Sequence, residues 1–149
     1  MSHRAEQIIQ RIRTLLEAQV EYDGVHVYAH RRLSLAEDQD ELPAISVDFG
    51  QDSPVEENIQ FIDSLLTVAV TSIVAAAEED TVKAELLELR RQIHIALMED
   101  VTLGLPFVIS TSYGGAEPPA FDLRGEFIVG ALATPWNVYY RMLLADPGD

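Results

Sequence analysis

Cysteine is absent from this chain, and basic residues are scarce. Without cysteine there can be no disulfide, no thiolate metal ligand and no thiol nucleophile, which fits assembly in a reducing cytoplasm. Ten Lys and Arg residues stand against 25 Asp and Glu residues, for a formal net charge of −15. Binding to DNA or to anionic membranes requires clustered cations, so we expect this chain to repel both.

Long hydrophobic runs are also missing. The most apolar stretch, residues 65–77, is too short to span a bilayer and contains Thr67, Thr71 and Ser72, so it is interpreted as a buried strand. Residues 1–7 carry charge with no apolar run behind them, and no signal peptide is expected. With 149 residues, 48% of them hydrophobic, we expect one domain over 1–149, with residues 145–149 frayed.

Signatures of catalysis and of metal binding are absent as well. The sequence contains no nucleophile elbow, no phosphate-binding glycine loop and no dinucleotide fingerprint. His26 and His30 would share one face of a strand, but roughly 13 Å apart at ~3.3 Å per residue, which is too far for one ion. Residues 38–41 lack the glycine and the closing acid of a calcium loop. We therefore expect no enzyme, no cofactor and no metal site.

Two segments show the apolar periodicity of amphipathic helices. In residues 2–19 an apolar stripe includes Ile8 and Ile12, and Ser2 is the candidate N-cap. In residues 80–98 the stripe includes Leu89 and Ile93. Acidic residues precede this second helix and basic residues occupy its second half, as the helix dipole favours.

Alternating patterns predict the strands, which are residues 25–30, a strand opened by Pro43, 60–75, 107–111 and 122–144. The order α-β-β-β-α-β-β predicts an α+β fold, with a mostly antiparallel sheet of about five strands and two helices packed on it. Pro135 is expected to interrupt the last strand with a bulge or an edge. Strand 60–75 is apolar on both faces and therefore needs cover on both, from its own helices or from a neighbouring subunit.

Two polar loops, residues 31–42 and 50–58, carry the candidate functional residues. In one interpretation their charges are solvated or paired with each other; in the other they contact a neighbouring copy or line a channel that DNA passes without sticking. The candidate interface or lumen residues are Arg31, Arg32, Glu37, Asp38, Asp40, Glu41, Asp52, Glu56 and Glu57. We also expect subunit contacts along strand 60–75.

Four stretches carry a resemblance to a known family. They are residues 91–97 (Arg-Gln-Ile-His-Ile-Ala-Leu), 100–104 (Asp-Val-Thr-Leu-Gly), 136–140 (Trp-Asn-Val-Tyr-Tyr) and 42–47 (Leu-Pro-Ala-Ile-Ser-Val). With the initial helix and the long central strand, they resemble the tail terminator (tail completion) proteins of long-tailed bacteriophages. The likeness in element order covers nearly the whole chain. Leu105 stands where a second glycine would be expected, and Pro135 precedes the tryptophan.

The resemblance implies a structural virion protein without catalysis. Such proteins form a homo-hexameric ring that caps the tail tube, stops its polymerisation and offers a surface to the head connector. The implied partners are further copies of this chain, the major tail tube protein and a head-completion protein. The implied location is the head-proximal end of the tail, after assembly in the host cytoplasm, for a phage or a prophage. The alternatives are a head–tail connector or stopper, an acidic intracellular binding protein such as a DNA mimic or inhibitor, and a small enzyme.

Overall fold

The computed structural model describes residues 2–21, 23–31 and 41–148. Within them the elements are α1 (Arg4–Gln19), β1 (His26–Ala29), β2 (Ala44–Glu57), β3 (Phe61–Ala76), α2 (Glu79–Met98), β4 (Val108–Tyr113), β5 (Ala120–Arg124) and β6 (Phe127–Leu143). The predicted α+β class, with two helices and a mostly antiparallel sheet, is confirmed. The sheet has six strands, because the last predicted strand region is divided into β5 and β6.

The strands form one sheet in the order β1-β2-β3-β6-β4, and β5 pairs with β6 beside β4. The pair β1–β2 is parallel, and all the other pairs are antiparallel. The ladder between β3 and β6 runs without a register shift from Phe61 opposite Leu143 to Ala76 opposite Ile128. These two long strands are the centre of the molecule.

Pro135 lies inside β6, opposite Ala69 of β3, and the ladder is continuous there. The expected bulge is therefore wrong. The Pro135 carbonyl accepts a hydrogen bond from the Gly114 N–H at 2.8 Å, on the side of β6 away from β3. In an antiparallel strand the nitrogen of a residue faces the same side as its carbonyl, so the missing N–H costs no bond to β3. On that far side Pro135 lies between the segments paired with β5 and with β4, which is a local edge.

The second predicted loop, residues 50–58, is also wrong as far as Glu57. These residues continue β2, which pairs with β3 through register shifts at Phe49/Asp52 and Pro54/Glu56. Their side chains are polar because most of them are exposed, while the backbone still completes the ladder of an apolar neighbour. Polarity alone made this half of the strand look like a loop.

Both helices pack on the same face of the sheet. Their apolar stripes join the buried side chains of β3 and β6 in one core cluster, which includes Ile12, Ile93, Val68 and Trp136. A Cβ atom built on Gly130 would lie 2.4 Å from Val82 Cγ1, so α2 lies directly on β6 at this glycine. The core therefore lies on one side of the sheet.

The N-cap of the first helix is His3, one residue later than the expected Ser2. His3 Nδ1, and not Ser2, accepts a hydrogen bond from the Ala5 N–H at 3.0 Å. The C-terminal segment, for which fraying was expected, contacts the start of α1, where the Arg4 N–H donates to the Pro147 carbonyl at 2.9 Å. Asp149 lies outside the described residues.

Candidate self-association surface

The sheet has one face on which no helix of the described residues packs. We call it the helix-free face and define it by eight side chains of the two central strands. They are Leu65, Thr67, Ala69 and Thr71 on β3, opposite Tyr139, Asn137, Pro135 and Ala133 on β6. Each of the eight is partly exposed. The face thus presents both apolar and small polar side chains to its surroundings.

The composition of this face follows from strict alternation along the strands. Residues 64–76 and 127–140 contain no Asp, Glu, Lys or Arg, although 23% of the chain is charged. Val68, Val70 and Trp136 point towards the helices and are buried, whereas Thr67, Ala69 and Ala133 point away from them. The nearest polar contact on the face joins the Thr67 hydroxyl to Asn137 Oδ1 at 3.5 Å. A surface of uncharged, mostly small side chains that lines none of the cavities described below suits packing against another surface more than capture of a small ligand, which needs a concave site.

An ion pair between the buried Asp63 and the half-exposed Arg141 closes one end of this face. Asp63 accepts two hydrogen bonds from Arg141, at 2.7 Å from Nε and 3.0 Å from Nη2. The guanidinium also lies over the Phe61 ring, 3.7 Å from its centroid. The hydrogen bonds from Arg141 hold the pKa of Asp63 below its ordinary value, against the opposing effect of burial.

Arg31 lies at the opposite end of the same face. Its carbonyl accepts a hydrogen bond from the Ser46 hydroxyl, and its guanidinium lies 4.4 Å from the centroid of the Tyr28 ring. Arg31 Nη2 also contacts the Glu41 carboxylate at 2.7 Å. Two of the candidate residues therefore pair with each other, as the interpretation of mutual pairing predicts.

Asp52 has an internal contact that the sequence did not suggest. Its carboxylate accepts hydrogen bonds from the Tyr140 hydroxyl at 2.6 Å and from the Ser64 hydroxyl at 2.5 Å. Burial, and then the hydrogen bond to this carboxylate, raise the pKa of Tyr140 above its ordinary value. Asp52 thus braces β2 against β3 and β6.

The remaining candidate acids do not form one patch. Glu56 and Glu57 are exposed neighbours on β2, so their side chains point to opposite faces of the sheet. The pair of Arg31 and Glu41 lies near the other end of β2, about 30 Å away at ~3.3 Å per strand residue. Arg32, Glu37, Asp38 and Asp40 lie outside the described residues.

Sequence reasoning missed several exposed apolar side chains. Val55 and Ile59 project from the β2–β3 hairpin, and Leu87 and Ile95 project from α2. The signal for the two helical residues was available, because both fall off the apolar stripe that contains Leu89 and Ile93. Val55 and Ile59 were hidden because they lie among acids in a segment interpreted as a loop.

The histidines and carboxylates of the described ranges form no group of three that could hold a metal ion. His26 stacks on Tyr28, and His30 contacts the Glu6 carboxylate. The pKa of Glu6 is lowered by a hydrogen bond from Gln10 and further by His30. Across the parts of the chain described, no helix is both long enough and apolar enough to cross a membrane.

No family model and no curated protein matches the chain. Among solved structures, it is similar to a chain in the virion of a native gene transfer agent particle, with a TM-score of 0.47 and 16% sequence identity. The alignment covers 87% of this chain and 90% of that one. The likeness is one of chain course and does not bear on function.

Proposed function

We propose that this chain is a structural virion protein that forms a hexameric ring on the head-proximal end of a phage tail tube. The ring ends tube polymerisation and offers its far side to the head-completion protein. The observation that carries the proposal is the helix-free face, where eight side chains of the two longest strands are partly exposed and no described helix packs. A second copy of the chain would bury these partly exposed side chains.

The free energy of burial favours contact of this face with another surface over its exposure to water. Apolar area removed from water contributes about 25 cal/mol per Å², and this face carries no charge whose desolvation would oppose burial. From Leu65 to Thr71 the face is about 20 Å long at ~3.3 Å per residue. Its two strands add a width of roughly 10 Å at ~4.8 Å spacing, so it covers about 200 Å². A stable interface buries about 800 Å² per partner, so other surfaces must contribute.

The charge of the chain fits a ring around DNA. Contacts between different surfaces of neighbouring copies can close into a ring and then stop, which gives one identical surface per subunit. Six copies, each with a formal charge of −15, would surround the channel with negative charge and let DNA pass unbound. No step in this role requires catalysis or a cofactor.

Light scattering coupled to size exclusion, over rising protein concentration, tests the proposal. We expect a concentration-dependent oligomer with six copies, seen by negative-stain microscopy as a ring with an open centre. Added to growing tail tubes of the same phage, it should halt elongation at one tube end. A protein that stays monomeric at every concentration and binds a basic protein would favour the DNA mimic instead, and a ring that binds only head connectors would favour the stopper.

A further inference from the structure

The tip of the β2–β3 hairpin projects an apolar side chain between acids. We call residues 54–60 the arm. Ile59 at its end is 90% exposed and Val55 is 56% exposed, while Glu56 and Glu57 lie between them. An isoleucine with almost its whole surface in water is poorly placed for a lone protomer, because burying it would contribute about 1.5–3 kcal/mol.

The turn at the end of the arm is held in one conformation. The Asn58 side-chain oxygen accepts hydrogen bonds from the N–H groups of Gln60 at 2.7 Å and Phe61 at 2.9 Å. The Asn58 N–H in turn donates to the Phe61 carbonyl at 3.0 Å. Ile59 is therefore presented on a preorganised turn, which lowers the entropy cost of docking.

A groove with apolar side chains in its wall, like the apolar tip of the arm, lies beside α2. We call it the α2 groove. It is a cavity of about 420 Å³ between α2 and residues 116–119, with Leu86, Leu87 and Leu132 in its wall. A second, shallower depression continues it along α2 past Leu87 to Ile95. The groove is thus apolar along its length and open to solvent.

The charges around the groove have the opposite sign to those of the arm. Lys83, Arg90 and Arg91 line the two depressions, against one acid, Glu117. Lys83 and Arg91 make exposed ion pairs within α2, at 3.4 Å and 3.1 Å, which are worth little and can be exchanged for another carboxylate. The three cations that line the groove therefore complement the acidic residues of the arm.

The arm cannot fill the groove of its own chain. It lies at the end of the sheet where Phe61 pairs with Leu143, whereas the groove contains Leu132, which pairs with Ser72. Eleven residues separate these positions along β3, or about 36 Å at ~3.3 Å per residue. Any arm in the groove therefore belongs to another copy.

We infer that the arm of one copy docks in the α2 groove of the next copy, with Ile59 among the leucines and with Glu57 against Lys83. This inference rests on the proposed function and names the contact between its subunits. Arm and groove are different surfaces, so the contact is head-to-tail and propagates from copy to copy. It also adds interface area to that of the helix-free face.

Two variants break the contact from either side. Ile59→Asp alters the arm and Leu87→Asp alters the groove, at positions 90% and 57% exposed, so both chains should fold with unchanged circular dichroism and Tm. Each should raise the dissociation constant of self-association at least about tenfold. Leu123→Asp, on β5 and 74% exposed, is the matched control and should assemble like the wild type.

Mixing the two variants sharpens the test. The Ile59→Asp chain keeps a sound groove and the Leu87→Asp chain keeps a sound arm, so the mixture should form a 1:1 dimer in light scattering and grow no further. Should Leu87→Asp fail to fold, Lys83→Glu replaces it as the groove variant. Glu57→Lys is then the matching arm variant with the opposite change of charge. The double charge swap should restore assembly that each single reversal weakens.

The outcomes separate the two proposals. If the wild type and both variants assemble equally well, arm docking is overturned while the proposal of a hexameric ring stands. The same result is expected if a different protein occupies the α2 groove. If the variants are monomeric but their mixture does not pair, arm docking is overturned too. A wild type that is monomeric at every concentration overturns both proposals together.

Discussion

The two faces of β3 and β6 are built from alternate residues of the same two strands and have different surroundings. On one face Val68, Val70 and Trp136 are fully buried beneath the helices. On the other, neighbouring positions such as Ala69 and Pro135 are small and only partly covered. Alternation along a strand lets one segment serve folding with one side and association with the other.

The difference teaches where stability and assembly reside. The helix-covered face contains the large side chains whose burial holds the chain folded. The helix-free face contributes less to folding, because its eight side chains are only partly buried. Substitutions on the covered face should therefore change the free energy of unfolding, and substitutions on the helix-free face should change self-association.

The largest effect is expected on the covered face. Ile93→Asp places a carboxylate at a position that is 1% exposed in the core between α2 and the sheet. An unpaired buried charge costs several kcal/mol, comparable with the whole free energy of unfolding of a domain, so the chain should not fold. Circular dichroism and urea denaturation measure this. A soluble Ile93→Asp protein that unfolds cooperatively would show that this face is not the core.

An intermediate effect is expected from the ion pair at the end of the helix-free face. The hydrogen bonds from Arg141 lower the pKa of Asp63, so the folded state binds its proton less readily than the unfolded state. The resulting stability is present above the unfolded pKa, near 3.8, and is lost as pH falls through the lower folded pKa.

Asp63→Asn should therefore be less stable than wild type at pH 7, and the gap should close as the pH falls below the folded pKa of Asp63. Urea midpoints measured across this range check it. The pKa of Glu6 is lowered as well, but Glu6 is present in both proteins and cancels in the comparison. Parallel stability curves for the two proteins, with a constant gap at every pH, would contradict the assigned cause.

The smallest effect on stability is expected at the centre of the helix-free face. Ala133→Asp adds a charge at a partly exposed position opposite Thr71, so the free energy of unfolding should change by no more than about 0.5 kcal/mol. Self-association should nevertheless weaken, because the carboxylate would be desolvated between copies. Light scattering on Ala133→Asp and on the matched Ala133→Ser chain checks this. Equal assembly of the two would remove the helix-free face from the interface.

Much of the fold could be predicted from the sequence because helices and strands follow local patterns of apolar residues. The stripe through Ile8 and Ile12 and that through Leu89 and Ile93 predicted both helices within a few residues of their bounds. The apolar run of β3 predicted the central strand in the same way. Non-local pairing was not readable, since nothing near Asp52 or Glu57 shows that a long apolar strand lies beside them.

The division of the last predicted strand region into β5 and β6 could have been predicted from the sequence. Gly125 has a φ of +67°, which favours glycine, and it forms the turn between Arg124 of β5 and Phe127 of β6. The sequence offered this glycine, but the alternation on both sides made the segment look like one strand.

The sequence predicted the kind of candidate site, a surface for self-association, but not the residues that form it. The two apolar faces of β3 indicated a need for outside cover, and the structure leaves one of those faces without a helix among the residues it describes. The position of individual acids was not predictable, because it depends on partners distant in sequence. Asp52 illustrates this: it binds the hydroxyl of Tyr140, 88 positions further along the chain.

The hydrogen bond between Arg4 and Pro147 has a practical consequence for handling the molecule. It brings the first turn of α1 and the segment after β6 to the same spot on the surface. A short flexible peptide joining these two points would circularise the backbone with little change in the sheet. New ends could then be opened at the Gly125 turn, which places fluorophores or affinity tags far from the original termini.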